Sequence, residues 1–451
     1  MSVATQQAFL DLIEDSIACV QAAAPDSPIL PLLLKKDFEQ RGGAMQIADF
    51  FHNRGQLQFA AEWYRYVSEH LEPTYPCAYS NQAKCLTNLY RFPEALAVLN
   101  DSLTKVNFSL SAYTLQEFFA YLQVYSLIVL KSGRGNITHP VFPLLTSFLN
   151  HEQVTLCGND NLKEQCKALC LLGEGGAIPN RMGSKTALRD KIDSFALTPS
   201  GGDRLIISRP GNVEVVACLG NSFTWTLGNN AGIYPAKDSN DEQRQESFSL
   251  WKKLYVEAMS VSDHIMIANF FDNYAGPYVS LLGLEDKSVD YPGATFWIET
   301  LSRLLENKVV LCISPFAKTM KHQSRHLNRI HENVLPFNTK NLRFYACAQS
   351  IAFSSEVGWA ENFNTMKREL SGLDFDIALI SAGGYGHPLV TYLAQEGRSA
   401  IYCGGLLQLV FGITGKRFDE HPNVVKNTYW RRPSWDETPV GFTEVEGGCY
   451  W

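Results

Sequence analysis

The sequence predicts an α/β fold in which an all-helical domain precedes a domain built on a mostly parallel sheet. Up to about residue 175, apolar residues recur at three- and four-residue spacings, the period of an amphipathic helix. From residue 204 onward, short apolar runs alternate with helical patterns, which is typical of a parallel sheet covered on both faces. We therefore predict a helical domain at 1–175, a polar linker or loose helix at 176–203 and a sheet domain at 204–451.

The amino-acid composition of the chain argues against several classes of function. The 451 residues are 45% hydrophobic and 19% charged, as in an ordinary globular protein, and the net charge of −7 argues against nucleic acid as a partner. The eleven cysteines form no CxxC pair, which favours reduced thiols in a cytoplasmic compartment. The first residues lack the pattern of a signal peptide, and no apolar stretch reaches the roughly 18 residues of a membrane span.

The helical domain contains an internal repeat. The segments GQLQFAAEWY (55–64) and YRFPEALAVL (90–99) lie 35 residues apart and carry Ala60 and Ala95 at matching places. This pattern resembles tetratricopeptide (TPR) repeats, whose period is about 34 residues. The repeats predict either a concave surface for a partner or acceptor, or a helical bundle that supports the second domain.

Six apolar runs in the second domain are predicted strands. They are RLIISR (204–209), HIMIANFF (264–271), KVVLCISPF (308–316), LRFYACAQS (342–350), FDIALISAG (375–383) and SAIYCGG (399–405). The sequences between them have helical spacing, as in ATFWIETLSRLLEN (294–307). This order predicts a Rossmann-like sheet, in which ligands bind beyond the carboxyl ends of the strands.

The turn after the first strand, SRPGNVE, contains Arg209, Asn212 and Glu214. The planar fork of Arg209 can bind a diphosphate or a carboxylate. Asn212 and Glu214 are spaced so that one turn can present both to a ligand or a metal. A Pro-Gly turn with a helix-capping Asn explains the same residues, and the sequence leaves both interpretations open.

Polar residues also follow other strands. Asn230 belongs to a pair of amides that can bind a sugar or a base edge, or form an ordinary turn. Ser314 and Lys318 follow the third strand, where a helix start favours an anion, although a solvated helix face is the alternative. Gln349 and Ser350 end the fourth strand as candidate hydrogen-bonding groups.

The fifth strand ends in the glycine turn Gly383, Gly384, Tyr385 and Gly386. The turn matches neither GxGxxG nor the P-loop. Its glycines let backbone amides approach an anion closely, but the turn can also simply close a βαβ unit. No acidic residue ends the next strand, which argues against a nicotinamide-dependent dehydrogenase.

Two further groups of residues follow in the chain. His387, directly after the glycine turn, is a candidate base for a hydrolase or a residue that starts or packs the helix. After the sixth strand comes a second segment rich in glycine and basic residues, which could bind phosphate: Gly404, Gly405, Gln408, Gly412, Gly415, Lys416 and Arg417.

The motifs from residue 205 to 451 together resemble a group of bacterial and viral proteins that commonly occur among polysaccharide-synthesis proteins. The motifs are RPGNVE, NNAGIYP, SPFAKTM, CAQSIA, FDIALISAGGYGHPL, GGLLQLVFGITGKRF and EGGCYW. That group is distantly similar to the GT-D-type glycosyltransferases. The resemblance implies a nucleotide-sugar as donor.

The GT-D-type enzymes hold a metal and the donor diphosphate with an Asp-x-Glu motif after the first strand. The corresponding residues here are Asn212-Val213-Glu214, so an amide replaces the aspartate. The resemblance therefore implies either a Mn²⁺ or Mg²⁺ cofactor with Glu214 as its only motif carboxylate, or transfer without a metal. In the second case Arg209, Lys318 and Lys416 would neutralise the diphosphate.

Three functions follow as expectations. The first is a glycosyltransferase in which Arg209 and Lys318 meet the leaving diphosphate, Glu214 is the general base, and a glycan or protein acceptor binds the helical repeats. The second is an inactive scaffold that binds a nucleotide or glycan. The third is another phosphate enzyme, such as a hydrolase or kinase-like enzyme. The expected donor-binding residues are Asn212, Asn230, Ser314, Gln349, Ser350, Gly383, Gly384, Tyr385, Gly386, Gly405, Gln408, Lys416 and Arg417.

Overall fold

The structure is a computed structural model in which the chain folds as two compact units. It describes residues 3–35, 38, 40–106, 114–131, 139–151, 154, 160–174, 184–198, 204–236, 239–268, 274–332, 336–419 and 426–451. One unit contains Met1–Asn180 with Phe270–Asn273, and the other contains Arg181–Asn269 with Tyr274–Trp451.

The first unit is helical throughout its described secondary structure. Its helices are α1 (Val3–Ala23), α2 (Ile29–Leu34), α3 (Arg41–Asn53), α4 (Leu57–Tyr66), α5 (Pro76–Asn88), α6 (Phe92–Ser102), α7 (Leu115–Lys131), α8 (Val141–Leu149) and α9 (Asp160–Glu174). A π-helical turn, Val67–Leu71, extends α4. Consecutive helices from α3 to α7 pack on one another. The matched residues Ala60 and Ala95 are both fully buried, where a small side chain lets neighbouring helices approach closely.

The second unit is an α/β structure around seven parallel strands. The strands are β1 (Ile206–Ser208), β2 (His264–Ile267), β3 (Ser288–Asp290), β4 (Val310–Ser314), β5 (Leu342–Ala346), β6 (Ile377–Ile380) and β7 (Ser399–Tyr402). Their order in the sheet is β3-β2-β1-β7-β6-β4-β5. All described pairs are parallel, with Ile207 opposite Ile401 and Cys312 opposite Leu379.

Helices cover this sheet. They are α10 (Lys185–Leu197), α11 (Asn212–Gly220), α12 (Asp241–Val261), α13 (Ala275–Leu281), α14 (Ala294–Asn307), α15 (Ala317–Gln323), α16 (Leu327–Ile330), α17 (Trp359–Ser371), α18 (Gly386–Gln395), α19 (Leu406–Val410) and α20 (Lys416–Asp419). The prediction of an α/β fold with a parallel sheet is confirmed. No helix in the described part of the chain is long and apolar enough to cross a membrane.

Helix α10 lies inside the segment that the sequence predicted to be a linker or a loose helix. Leu188, Ile192 and Ala196 recur every four residues, and all three are buried in one core with Leu301 of α14. The Ser184 side chain accepts a hydrogen bond from the Ala187 N–H and so caps the helix start. A short apolar stripe thus forms a packed helix within a segment whose average composition is polar.

The topology places the carboxyl ends of all seven strands along one edge. From β1 the chain continues to its neighbour β2, whereas from β4 it continues to β5 on the opposite side of the sheet. Strand β7 lies between these halves and pairs directly with β1. In open parallel sheets, ligands bind where the winding direction reverses. The carboxyl ends of β1 and β7 are therefore the first place to examine for a site.

Candidate functional site

Arg209 lies at the carboxyl ends of β1 and β7. It directly follows β1, and a Cβ atom on Gly404, just after β7, would be 2.9 Å from Arg209 Nη1. Gly404 has a φ of +58°, a left-handed conformation that favours glycine. The guanidinium carbon is 5.0 Å from the centroid of the Tyr291 ring. The backbone after β7 thus leaves room for the arginine head between the two strand ends.

The Arg209 head is half-buried and incompletely hydrogen-bonded. Its Nε atom is shielded from solvent and has no hydrogen-bond partner in the described residues. Buried donors are normally paired, because an unpaired one costs about 1–3 kcal/mol. An anion with two oxygens would fit the fork of this side chain. Arg209 is therefore the best-placed anion-binding group at this edge.

Glu214 lies beside Arg209 at the start of α11. Its carboxylate folds back over the helix start, so that a Cβ atom on Gly211 would overlap Oε2. Burial raises the pKa of Glu214 above its usual 4.5, and Glu446 adds to this, while its own backbone N–H and Arg209 act in the opposite direction. The result is a half-buried carboxyl that holds a proton more tightly than an exposed one.

Three rings pack together next to these charges. The His387 ring centroid lies 4.2 Å from that of Tyr255 and 5.0 Å from that of Tyr402. The Tyr255 hydroxyl accepts a hydrogen bond of 3.2 Å from the Gly211 N–H, which fixes the turn before α11. Burial, with a smaller contribution from Arg209, lowers the pKa of His387 to about 3. His387 is thus a neutral, buried imidazole, and its Nε2 has no partner among the described residues.

Asn212 supports the backbone of the neighbouring strand connection. Its Oδ1 accepts a hydrogen bond of 2.9 Å from the N–H of Tyr274. Asn212 is the first residue of α11 and lies two residues before Glu214. The amide that replaces the expected aspartate therefore joins the α11 start to the chain after β2.

The glycine turn is packed against protein atoms. The Gly384 carbonyl accepts a hydrogen bond of 2.9 Å from Trp251 Nε1, and the Gly383 carbonyl accepts one of 3.0 Å from the Tyr402 hydroxyl. A Cβ atom on Gly386 would overlap the Tyr402 ring. Close packing therefore accounts for glycine at 386, and the turn helps to hold Tyr402 in the site.

A second polar cluster lies where the glycine turn meets the segment after β5. The hydroxyl groups of Tyr385 and Ser350 are 2.6 Å apart, and Asn362 Nδ2 donates to both. The neighbouring Gln349 Nε2 is buried and has no partner in the described part of the chain. Asn230 Oδ1 accepts from the side chain of Asn229. Tyr385, Ser350 and Asn230, three of the predicted donor-binding residues, thus hydrogen-bond to other protein groups, whereas the side-chain amide nitrogen of Gln349 does not.

Lys318 is bound by the chain's own carboxylates. Its Nζ pairs with Asp436, and its backbone N–H donates a hydrogen bond of 2.7 Å to Glu437, which caps α15. Ser314, at the end of β4, is buried, and its hydroxyl accepts from the Phe316 N–H. Three strand spacings of about 4.8 Å separate β4 from β1, or about 14 Å. Lys318 therefore lies apart from Arg209 and Glu214.

The second glycine-rich segment surrounds the C-terminal residues. Gln408 Nε2 donates a hydrogen bond of 2.8 Å to the Tyr450 carbonyl, and the Lys416 N–H donates one of 3.0 Å to the Trp451 carbonyl. A Cβ atom on Gly405 would lie 3.5 Å from the Tyr450 ring. These contacts hold Tyr450 against the strand ends.

Arg417 reinforces the same contact. Its guanidinium carbon is 4.6 Å from the centroid of the Tyr450 ring, and the side chain pairs with Glu446. Its backbone N–H donates to the Cys449 carbonyl at 2.9 Å. The TGKR sequence thus binds the C-terminal segment rather than presenting a free run of amides.

The structure therefore brings together Arg209 and Glu214 and adds residues that the sequence analysis did not select. These are Tyr255, Tyr291, Tyr402 and Tyr450. A usable signal exists for two of them, because Tyr402 is the last residue of β7 and Tyr291 directly follows β3. Tyr255 and Tyr450 come from α12 and the C-terminal segment, far from any strand end in the sequence.

The donor atoms for a metal are few at this edge. In the described residues, no group of three or more His, Cys, Asp and Glu side chains is placed to hold a metal ion. A hard divalent ion at Glu214 would need that carboxylate together with phosphate oxygens of a ligand. The chain matches no protein-family model, no curated protein and no solved structure in comparisons with each of the three.

Proposed function

We propose that the α/β unit is a Rossmann-like glycosyltransferase domain, distantly related to the GT-D type, that uses a nucleotide-sugar donor. The observation that carries this proposal is the half-buried Arg209 head, with an unpartnered Nε, between the carboxyl ends of β1 and β7. An anion-binding fork at the reversal point of a parallel sheet is the arrangement that a diphosphate requires.

The proposed reaction assigns one step to each charged group. Arg209 binds the diphosphate and stabilises the negative charge that develops as the bond from the sugar C1 to the phosphate oxygen breaks. The acceptor hydroxyl oxygen forms the new bond to C1, and Glu214 accepts its proton. The raised pKa of Glu214 suits this role, because a general base works best when its pKa lies near the working pH.

The helical unit is the proposed acceptor-binding part. We propose that α3–α4 and α5–α6 are TPR-like pairs, since their lengths and their buried Ala60 and Ala95 match the repeat. Stacked helix pairs form extended surfaces that suit a glycan or protein acceptor. The scattered cysteines suit a cytoplasmic location, where such donors are made available to soluble enzymes.

The first test measures donor binding and turnover separately. Nucleotide-sugars should raise the melting temperature of the wild-type chain, because a ligand that binds only the folded state stabilises it. Arg209→Ala should abolish that shift, whereas Glu214→Gln should keep it and lower turnover by about 10²-fold or more. A series with and without Mn²⁺ or Mg²⁺ shows whether a divalent ion contributes.

Lys318→Ala is the matched control for Arg209→Ala. Both changes remove one cation near a strand end, but Lys318 is exposed and paired with Asp436. The control should therefore leave the donor-induced shift unchanged. If both variants lost the donor-induced shift equally, diffuse electrostatic attraction, rather than a site at Arg209, would explain donor binding.

An inactive nucleotide-binding scaffold is the second candidate. It is favoured by the pairing of two other candidate cations, Lys318 and Arg417, with carboxylates of the same chain. In that case nucleotides would bind, Arg209→Ala would remove the binding, and no donor would be turned over. Turnover that depends on Glu214 would exclude this candidate.

A further inference from the structure

A groove lies within the helical unit, between α1 and α4. It has a volume of about 790 Å³ and continues along the π-helical turn Val67–Leu71. Sites of about 300–1,000 Å³ hold small ligands or several side chains of a partner. All of the described residues that line the groove belong to the helical unit, so this inference does not rest on the function proposed for the α/β unit.

The floor of the groove is apolar and aromatic. The Phe9 ring of α1 stacks on the Tyr66 ring of α4 with centroids 3.9 Å apart. The neighbouring Phe59 stacks on the buried Phe51, with centroids 5.1 Å apart. Leu12 of α1 completes the apolar lining. These stacked rings give the floor a fixed shape on which apolar side chains can pack.

The rim of the groove is acidic. Asp11 and Asp15 line it from α1, and Glu62 and Glu69 line it from the opposite wall. Among the described residues that line the groove, Arg65 is the only Lys or Arg, and it pairs with Glu62 at 2.6 Å. The described lining residues thus include four carboxylates and one guanidinium, and carboxylates lie on both walls.

We propose that this groove binds a basic amphipathic helix of a partner protein. Asp11 and Asp15 are four residues apart on α1 and therefore share one face of that helix, while Glu62 of α4 and Glu69 of the π-helical turn both line the opposite wall. A helix between the walls would place apolar residues on the aromatic floor and Lys or Arg heads on the two acidic rims. Recognition of an amphipathic helix by a groove is a recurrent mode of peptide binding.

The test uses two synthetic peptides of about 14 residues, close to the shortest length at which an isolated helix is marginally stable. One has Leu and Lys at helical spacing, and the other has Glu in place of every Lys. Fluorescence anisotropy with the full-length chain should show binding of the Lys peptide only. The affinity should fall as salt rises, since exposed charges are screened.

Two neighbouring residues provide matched variants. Asp15→Lys places a cation on the rim, whereas Glu14→Lys makes the same charge change at an exposed residue outside the groove lining. We expect Asp15→Lys to weaken binding of the Lys peptide by about tenfold or more, which corresponds to about 1.4 kcal/mol. Glu14→Lys should change it by less than about twofold.

Other outcomes would overturn the proposal. Equal weakening in both variants would mean that the peptide responds to net charge alone. Absence of Lys-peptide binding, or preference for the Glu peptide, would exclude a basic helix as the occupant. A concentration-dependent dimer that competes with the peptide and is lost in Asp15→Lys would assign the groove to a second copy of the chain. Donor binding by the α/β unit should stay unchanged in either variant, which separates this proposal from the proposed function.

Discussion

Glu214 makes the stability of the α/β unit depend on pH. Because its pKa is raised in the folded state, the folded protein holds this proton more tightly than the unfolded chain. The stabilising contribution is complete below the unfolded pKa of about 4.5 and is lost as pH rises through the raised folded pKa. Glu214→Gln should therefore be more stable than wild type at pH 7, with a difference that vanishes at low pH, as measured by chemical denaturation.

Asp419→Asn is a control for which we expect the opposite change in stability at pH 7. Burial alone would raise the pKa of Asp419, but hydrogen bonds from Thr414, Lys426 and Arg432 outweigh it and lower the pKa. Its contribution to stability is present above the unfolded pKa and is lost as pH falls. This variant should be less stable than wild type at pH 7. If Glu214→Gln behaved in the same way, burial would not be the dominant effect on Glu214.

Gly386 is a position where a single methyl group should be costly. A Cβ atom there would overlap the ring of Tyr402, a buried residue at the end of β7. Gly386→Ala should lower the free energy of unfolding by about 1–3 kcal/mol, the usual cost of overpacking. Equilibrium denaturation in urea measures this difference.

Gly372→Ala is the control for this substitution. Gly372 ends α17 with a φ of −88°, and the nearest atom to its added Cβ would be at an ordinary 3.8 Å. Gly372→Ala should therefore change the free energy of unfolding by less than about 0.5 kcal/mol. Equal effects at both positions would show that the loss of glycine, rather than the clash with Tyr402, decides the result.

The glycines show what a sequence can and cannot reveal at the scale of one residue. The sequence predicted a turn at 383–386, and a turn is present, with a short 3₁₀ segment at Gly383–Tyr385 before α18. The reason for the glycine at 386 lies in Tyr402, a residue that the chain brings into contact only through the fold. Local patterns therefore identify the turn, whereas the packing partner requires the structure.

At the scale of an element, Glu437 should contribute to the stability of α15. Its carboxylate accepts hydrogen bonds from the N–H groups of Lys318 and Thr319, at 2.7 and 3.1 Å. Glu437→Ala leaves these N–H groups without their cap and should cost about 1 kcal/mol, as loss of a helix cap commonly does. Thermal denaturation provides the measurement.

Asp436→Ala separates capping from simple charge. Asp436 forms an exposed ion pair with Nζ of Lys318, and exposed ion pairs contribute little to stability. Asp436→Ala should therefore lower the free energy of unfolding by less than Glu437→Ala does. A larger effect at Asp436 would contradict the assignment of Glu437 as the cap.

The strands were predictable because of their composition. All six predicted runs contain a strand, although each observed strand is shorter than its run. Part of the second run, residues 269–271, lies outside the described residues. Strand β3 was missed because its three residues, Ser288–Asp290, offer one apolar side chain and no periodicity. Pairing with β2 makes it a strand, and pairing cannot be read from so short a segment.

At the scale of the whole molecule, the candidate site depends on contacts that are remote in sequence. Arg209 was identified from the turn after β1, but its place over Gly404 depends on the pairing of β1 with β7. Tyr450 reaches the same edge because Gln408 and Arg417 hold the C-terminal segment there. Strand order and the path of the last residues are global properties, which is why the sequence analysis assigned these residues to one donor site, whereas the structure divides them among several clusters.

The pairing of β1 with β7 also has a consequence for synthesis of the chain. Leu205, just before β1, donates to the Ser399 hydroxyl, 194 residues later. At about 5–20 residues per second, the ribosome needs about 10–40 s to translate that interval. During this time one side of β1 remains an open strand edge, which is prone to aberrant pairing. The α/β unit should therefore need chaperone protection in the cell until β7 emerges, while the more local contacts of the helical unit can form earlier.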